Sequence, residues 1–157
     1  GAAGSAGYPN LNDDEWLWGG APEDIRFTIA HGVRFEADGE TRFSEMPAFG
    51  DMLGRGEVAA LVTHVKGLGE GGDLAGPGAA LFADNCASCH GEAGKGEATL
   101  GAPDLTDAIW LYGSDSADIA AQIRAPRHGV MPGWLDRLGE TTVKELTVYV
   151  HSLGGGQ

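Results

Sequence analysis

The strongest constraint on the fold is that the chain repeats itself. Pro9-Asn10-Leu11-Asn12-Asp13-Asp14-Glu15-Trp16-Leu17-Trp18-Gly19 is answered 94 residues later, from position 9 to position 103, by Pro103-Asp104-Leu105-Thr106-Asp107-Ala108-Ile109-Trp110-Leu111-Tyr112-Gly113. The same offset joins Asp24-Ile25 to Asp118-Ile119, and His31-Gly32-Val33 then answers His128-Gly129-Val130. A polar insertion over residues 34–45, expected as a surface loop, sets the copies out of step. Beyond it, Met46-Pro47-Ala48-Phe49 answers Met131-Pro132-Gly133-Trp134 at an offset of 85. That offset persists through Val58/Val143, Leu61/Leu146, Val65/Val150 and Leu68/Leu153. So many matches in order mean two copies of one domain, expected over residues 1–70 and 71–157.

The second copy carries the chemistry. Cys86-Ala87-Ser88-Cys89-His90 holds the only two cysteines, spaced C-x-x-C with a histidine directly after. This is the attachment pattern of c-type haem. One helical turn brings both thiols to the same side, where each adds to one vinyl group of the porphyrin, and His90 presents its imidazole to the iron as proximal ligand. A redox dithiol calls for a βαβ pattern around the motif, which is not visible. A zinc site calls for further Cys or suitably spaced His.

A proximal histidine leaves one axial position. Met131 is the candidate for it. It sits in a loop downstream of His90, stiffened by Pro132, and a thioether opposite an imidazole raises the reduction potential. The plain alternative is that Met131 only fills the core. His128 competes, but reads as an exposed loop residue beside Gly129, and His31, His64 and His151 read as solvated. The backbone carbonyl of Pro103 is the expected acceptor for the second imidazole nitrogen of His90. Met46 matches Met131 by repeat, so it reads as the axial ligand of a first haem whose attachment motif projects upstream of Gly1. It is in that sense an orphaned ligand. Met52 reads as packing. Trp16, Trp18, Trp110 and Tyr112 are expected at a haem edge or in the core, with Phe49 and Trp134 near the methionine loops.

Periodicity points to an all-α fold. Helices are expected over residues 24–30, over 57–68 with Gly69 ending it, and over 79–89 presenting the thiols. Two more are expected over 117–125 with Ser116 as cap, and over 142–153 with a Thr142/Glu145 capping box. Residues 67–78 read as a Gly-rich linker and 154–157 as a loose tail. The net charge of −13 excludes a nucleic-acid surface and favours a locally positive protein partner. No stretch reaches the ~20 apolar residues of a membrane span. The chain starts at Gly1, which reads as a processed or truncated piece beginning inside a cytochrome domain. Haem c attachment implies the periplasm.

Asn10–Gly20, Cys86–Gly91, Gly101–Asp107, Arg127–Trp134 and Glu145–Gly156, taken in this order on two tandem class I-like cytochrome c domains, resemble the dihaem subunit of cbb3-type cytochrome c oxidases, the CcoP/FixP family. The resemblance implies a periplasmic electron-transfer subunit with an N-terminal membrane anchor. Its partners would be the oxidase's catalytic and monohaem cytochrome subunits, and its donor a cytochrome c or a bc1 complex. It implies covalent haem c at Cys86 and Cys89, with His90 and Met131 axial, and Met46 axial to a first haem. The sequence departs from the family in lacking the anchor and the first C-x-x-C-H. The other readings are a soluble tandem cytochrome shuttle, the electron-accepting module of a dehydrogenase, and a dihaem peroxidase. The peroxidase needs an open iron position, which a methionine ligand would close.

Overall fold

Pro22 opens the first helix, α1 (Pro22–His31). Its ring fixes φ where the missing N–H costs nothing. Glu23 and Asp24 stand in the first turn, and Gly32 ends the helix at φ 73°. A computed structural model describes residues 1–72 and 74–154. The other helices there are α2 (Arg55–Glu70), α3 (Pro77–Asn85), α4 (Ala87–His90), α5 (Ser116–Arg124) and α6 (Leu135–His151), with a 3-10 turn at Ala98–Leu100. The described residues form no strand, only isolated bridges, so the fold is all-α, as the periodicity indicates. No helix among them is long and apolar enough to cross a membrane. The loose tail expected beyond Gly154 lies outside the described residues.

Several boundaries differ from the sequence reading, each for a local reason. Asp115, not Ser116, caps α5, because its carboxylate accepts from the N–H groups of both Ala117 and Asp118 at 2.8 Å. α2 runs past Gly69 and ends at Gly71, in the left-handed region at φ 70°. Gly69 has a different use: a Cβ there would lie 2.9 Å from the Thr106 carbonyl oxygen. α6 begins at Leu135, ahead of the Thr142/Glu145 pair, with a break at Gly139 (φ 76°, ψ 164°). The thiol helix is two pieces, because Cys86 at φ −119° separates α3 from α4. The insertion is more than a surface loop. Arg42 reaches back to Thr28 Oγ1 at 2.9 Å and Asp24 Oδ1 at 2.9 Å, clamping residues 34–45 to α1.

The packing does not follow the repeat. One compact unit holds Gly1–Glu45, Ala98–Gly101 and the described residues from His128 on. The other holds Met46–Glu97 and Ala102–Arg127. These units cut across the division expected at residues 70/71, which follows the repeat rather than the packing. Each unit combines the middle helix of one copy with the last helix of the other: α1 packs on α6, and α5 packs on α2. The cores are equivalent by repeat position. Ile25, Ile29 and Val143 are buried together in the first unit, and Ile119, Ile123 and Val58 in the second. The hydrogen bonds mirror each other too. Trp134 N–H donates to the Ile29 carbonyl at 3.0 Å, and Phe49 N–H to the Ile123 carbonyl at 3.0 Å.

The exchange has a physical cause. Two copies with the same apolar pattern present similar complementary faces, so either copy's last helix satisfies either middle helix. Connection length then decides. Only residues 71–76 separate α2 from α3, and so short a link makes consecutive helices neighbours. α2 therefore lies against α3. At their crossing a Cβ on Gly78 would lie 2.3 Å from the Ala60 carbonyl oxygen and 2.6 Å from His64 Cβ, so the glycine is what lets the backbones meet. His64, expected solvated, is buried here with its ring 5.1 Å from Phe82.

Candidate haem-attachment site

The site is built on one turn of chain. Cys89 and His90 N–H groups both donate to the Cys86 carbonyl, at 3.1 and 2.9 Å, which ties Cys86, at the N-terminal end of α4, to Cys89 and His90 one turn on. Gly91 (φ 75°) then turns the chain away. Cys86 packs against the core of its unit beside Phe82. Burial, with a smaller contribution from the neighbouring Cys89, pushes its thiol up to about 11. It stays protonated at neutral pH, which is the opposite of what a reactive redox dithiol requires.

His90 is held as the sequence reading expects. Its Nδ1 lies 3.2 Å from the Pro103 carbonyl oxygen. A carbonyl can only accept, so the proton sits on Nδ1 and the lone pair on Nε2, the nitrogen left to meet a metal. Burial lowers the pKa of His90, outweighing the Pro103 hydrogen bond, which raises it. The ring is thus kept neutral, as a metal ligand must be.

The loop that brings Pro103 round is fixed by backbone geometry. Gly96 N–H donates to the His90 carbonyl at 2.8 Å, and Glu97 and Ala102 bridge each other at 3.0 and 3.1 Å. Gly96 has φ 77°, and a Cβ there would lie 2.5 Å from the Ala102 carbonyl oxygen and 2.7 Å from Pro103 C, so only glycine fits. Asp104, next along, accepts from both Thr106 N and Thr106 Oγ1 at 2.7 Å and from Lys95 Nζ at 3.3 Å. Burial pushes its carboxyl up, but these bonds outweigh burial and hold it below the ordinary carboxylate value.

The first copy repeats this loop. Leu11 N–H donates to the Ala2 carbonyl at 2.8 Å as Leu105 N–H does to Gly94 at 2.7 Å. Ala2 and Gly94 share the left-handed region at φ 62° and 71°. Gly4 faces the Tyr8 carbonyl as Gly96 faces that of Ala102.

The exchange changes which methionine accompanies His90. Met46 packs on the core that also receives Cys86, Ala87, Leu105 and Trp110. Met131 packs with Trp16 and Trp134 on the core of the other unit. There its backbone bridges Val33, at 3.0 and 2.9 Å. The sequence reading paired Met131 with His90 and left Met46 orphaned. The packing instead puts Met46 in the same compact unit as His90, because the last third of each copy has changed places. Phe49 and Trp134 do pack near their methionine loops, and Trp110 and Trp16 lie in the two cores. Met52, expected as packing, is 66% exposed. His31, expected solvated, is half-buried between Asp38 and Glu40, its ring nitrogens at 3.0 and 3.4 Å. His128 is exposed.

The donor set fits a covalently held haem: two thiols one turn apart, an imidazole with its tautomer fixed and a thioether-bearing loop in the same unit. Residues 73–150 match the family model described as cytochrome c oxidase, cbb3-type, subunit III. Curated relatives match all of the chain. The cbb3-type cytochrome c oxidase subunit FixP of Sinorhizobium medicae is 57% identical, with 55% of its own length covered. The subunit CcoP of Cereibacter sphaeroides is 50% identical, 56% covered. The FixP of Bradyrhizobium diazoefficiens is 46% identical, 56% covered. The chain therefore spans about half the length of the curated relatives it matches.

Proposed function

Because the chain belongs to the CcoP/FixP family of cbb3-type cytochrome c oxidase subunits, we propose that it relays single electrons from a donor cytochrome c or bc1 complex towards the oxygen-reducing subunit. Haem c bound at this site would supply an iron that cycles between the ferric and ferrous states. Cys86 and Cys89 would hold it by thioether bonds. His90 Nε2 would be its proximal ligand and the Pro103 carbonyl would orient the imidazole. Met46 would be the sixth ligand, with both axial positions filled so that no substrate reaches the iron. The other oxidase subunits are the partners this reading requires, at the periplasmic face of the membrane. Met131 and the loop that precedes Pro9 would serve a second haem in the same way.

The observation that carries this reading is the 3.2 Å contact between His90 Nδ1 and the Pro103 carbonyl. It does for an imidazole what an iron ligand needs: ring fixed, basicity raised, Nε2 presented. The test is to introduce Cys86→Ala with Cys89→Ala into the full-length subunit within its oxidase. Oxygen consumption supported by the donor cytochrome should fall to a small fraction of the unaltered rate while the complex still assembles. Unaltered turnover by an assembled complex lacking this haem would refute the relay.

A further inference from the structure

We infer that the turn Met46–Leu53 is the face at which a cationic redox protein delivers its electron. The inference rests on the reading of Met46 as sixth ligand. The turn is closed by Met52 and Leu53 N–H groups, both donating to the Phe49 carbonyl, at 3.0 and 2.9 Å. Its inner side is fixed: Phe49 is 5% exposed, in the core on which Met46 packs. Its outer side presents Pro47, Ala48, Asp51 and Met52, all exposed. With haem bound and Met46 as its sixth ligand, a short apolar tip on this turn would give a docked partner a short path to the iron, and electron transfer weakens steeply with distance.

The repeat supplies an internal comparison. The two methionine turns align residue for residue, yet where the first has Met52 the second has Arg137, its guanidinium 5.0 Å from the Trp134 ring centroid. Asp51 corresponds to Asp136. The first turn therefore offers an apolar tip beside an acidic group, and the second offers a cation at the same place. Both units are acidic, with eleven Asp and Glu against five Lys and Arg in the one that bears the first turn and twelve against five in the other. Such a field draws a positively charged partner in and orients it, and an apolar centre with a charged rim suits brief docking. The step is one electron from the partner's reduced centre to the ferric haem; no bond is made or broken.

The experiment is stopped-flow reduction of the ferric, haem-loaded chain by a reduced lysine-rimmed cytochrome c at low and high salt. Met52→Arg, which copies the second turn, should slow the second-order rate about five- to tenfold at low salt. Glu145→Gln, the same change in net charge on exposed α6, should alter it less than about twofold. A small neutral flavin semiquinone should reduce all three proteins equally. Equal losses in both variants would overturn the docking face and leave only net charge. A parallel loss with the flavin would overturn it too, by tracing the effect to the haem pocket. The Met46 reading fails separately, through the ferric methionine–iron absorption band.

Discussion

At the scale of residues, few groups set the site and most act through backbone. The Pro103 carbonyl fixes His90, and Gly96 allows the chain to bring it there. Asp104 ties the loop to Lys95 and Thr106, and its bond to Thr106 N is 2.7 Å. Its carboxyl lies below the ordinary value in the folded chain. A depressed folded pKa stabilises the fold above the unfolded value of about 3.9. That contribution is lost as pH falls through the folded value. Asp104→Asn should therefore lower the urea midpoint near neutral pH and bring less further loss on acidification than the unaltered chain shows. Because Asp104 is only partly buried and its Lys95 partner is exposed, the effect should be modest. Midpoints measured from neutral to acidic pH check this, and parallel curves for the two proteins would contradict it. The C-x-x-C-H spacing and the Pro103 contact were legible in sequence, since both follow from local chemistry. The cap at Asp115 was not, because Asp115 and Ser116 are both good caps and only the geometry of the Ala117 and Asp118 N–H groups separates them.

At the scale of elements, hydrophobic periodicity finds the helices and glycines decide how closely they meet. The stripe Val58, Leu61, Val62, Val65 is buried, as its spacing predicts. The use of Gly69 was misread from sequence because a glycine near a helix end signals a stop as readily as a close approach, and here Thr106 makes it the latter. Gly78 is the tightest such point in the helical packing. An alanine Cβ there would meet the Ala60 carbonyl oxygen at 2.3 Å, which backbone cannot evade cheaply. Gly78→Ala should push α3 off α2 and cost about 1–3 kcal/mol, read as a lower urea midpoint. An unchanged midpoint would mean that α2 and α3 are not held at this separation.

At the scale of the whole molecule, the repeat shows that two similar units exist and says nothing of which halves compose them. Equivalent residues such as Ile25 and Ile119, or Val58 and Val143, fit either partner equally well by sequence. The exchange is decided by chain connection, above all the short link from α2 to α3, and so appears only in three dimensions. It also changes which methionine shares a compact unit with His90: Met46 rather than its own copy's Met131. The most direct test is the ferric absorption spectrum of the chain loaded with haem at Cys86, Cys89 and His90. The account predicts that Met46→Ala abolishes the methionine–iron charge-transfer band and admits exogenous ligands, while Met131→Ala keeps the band. Loss of the band in Met131→Ala and its survival in Met46→Ala would contradict it.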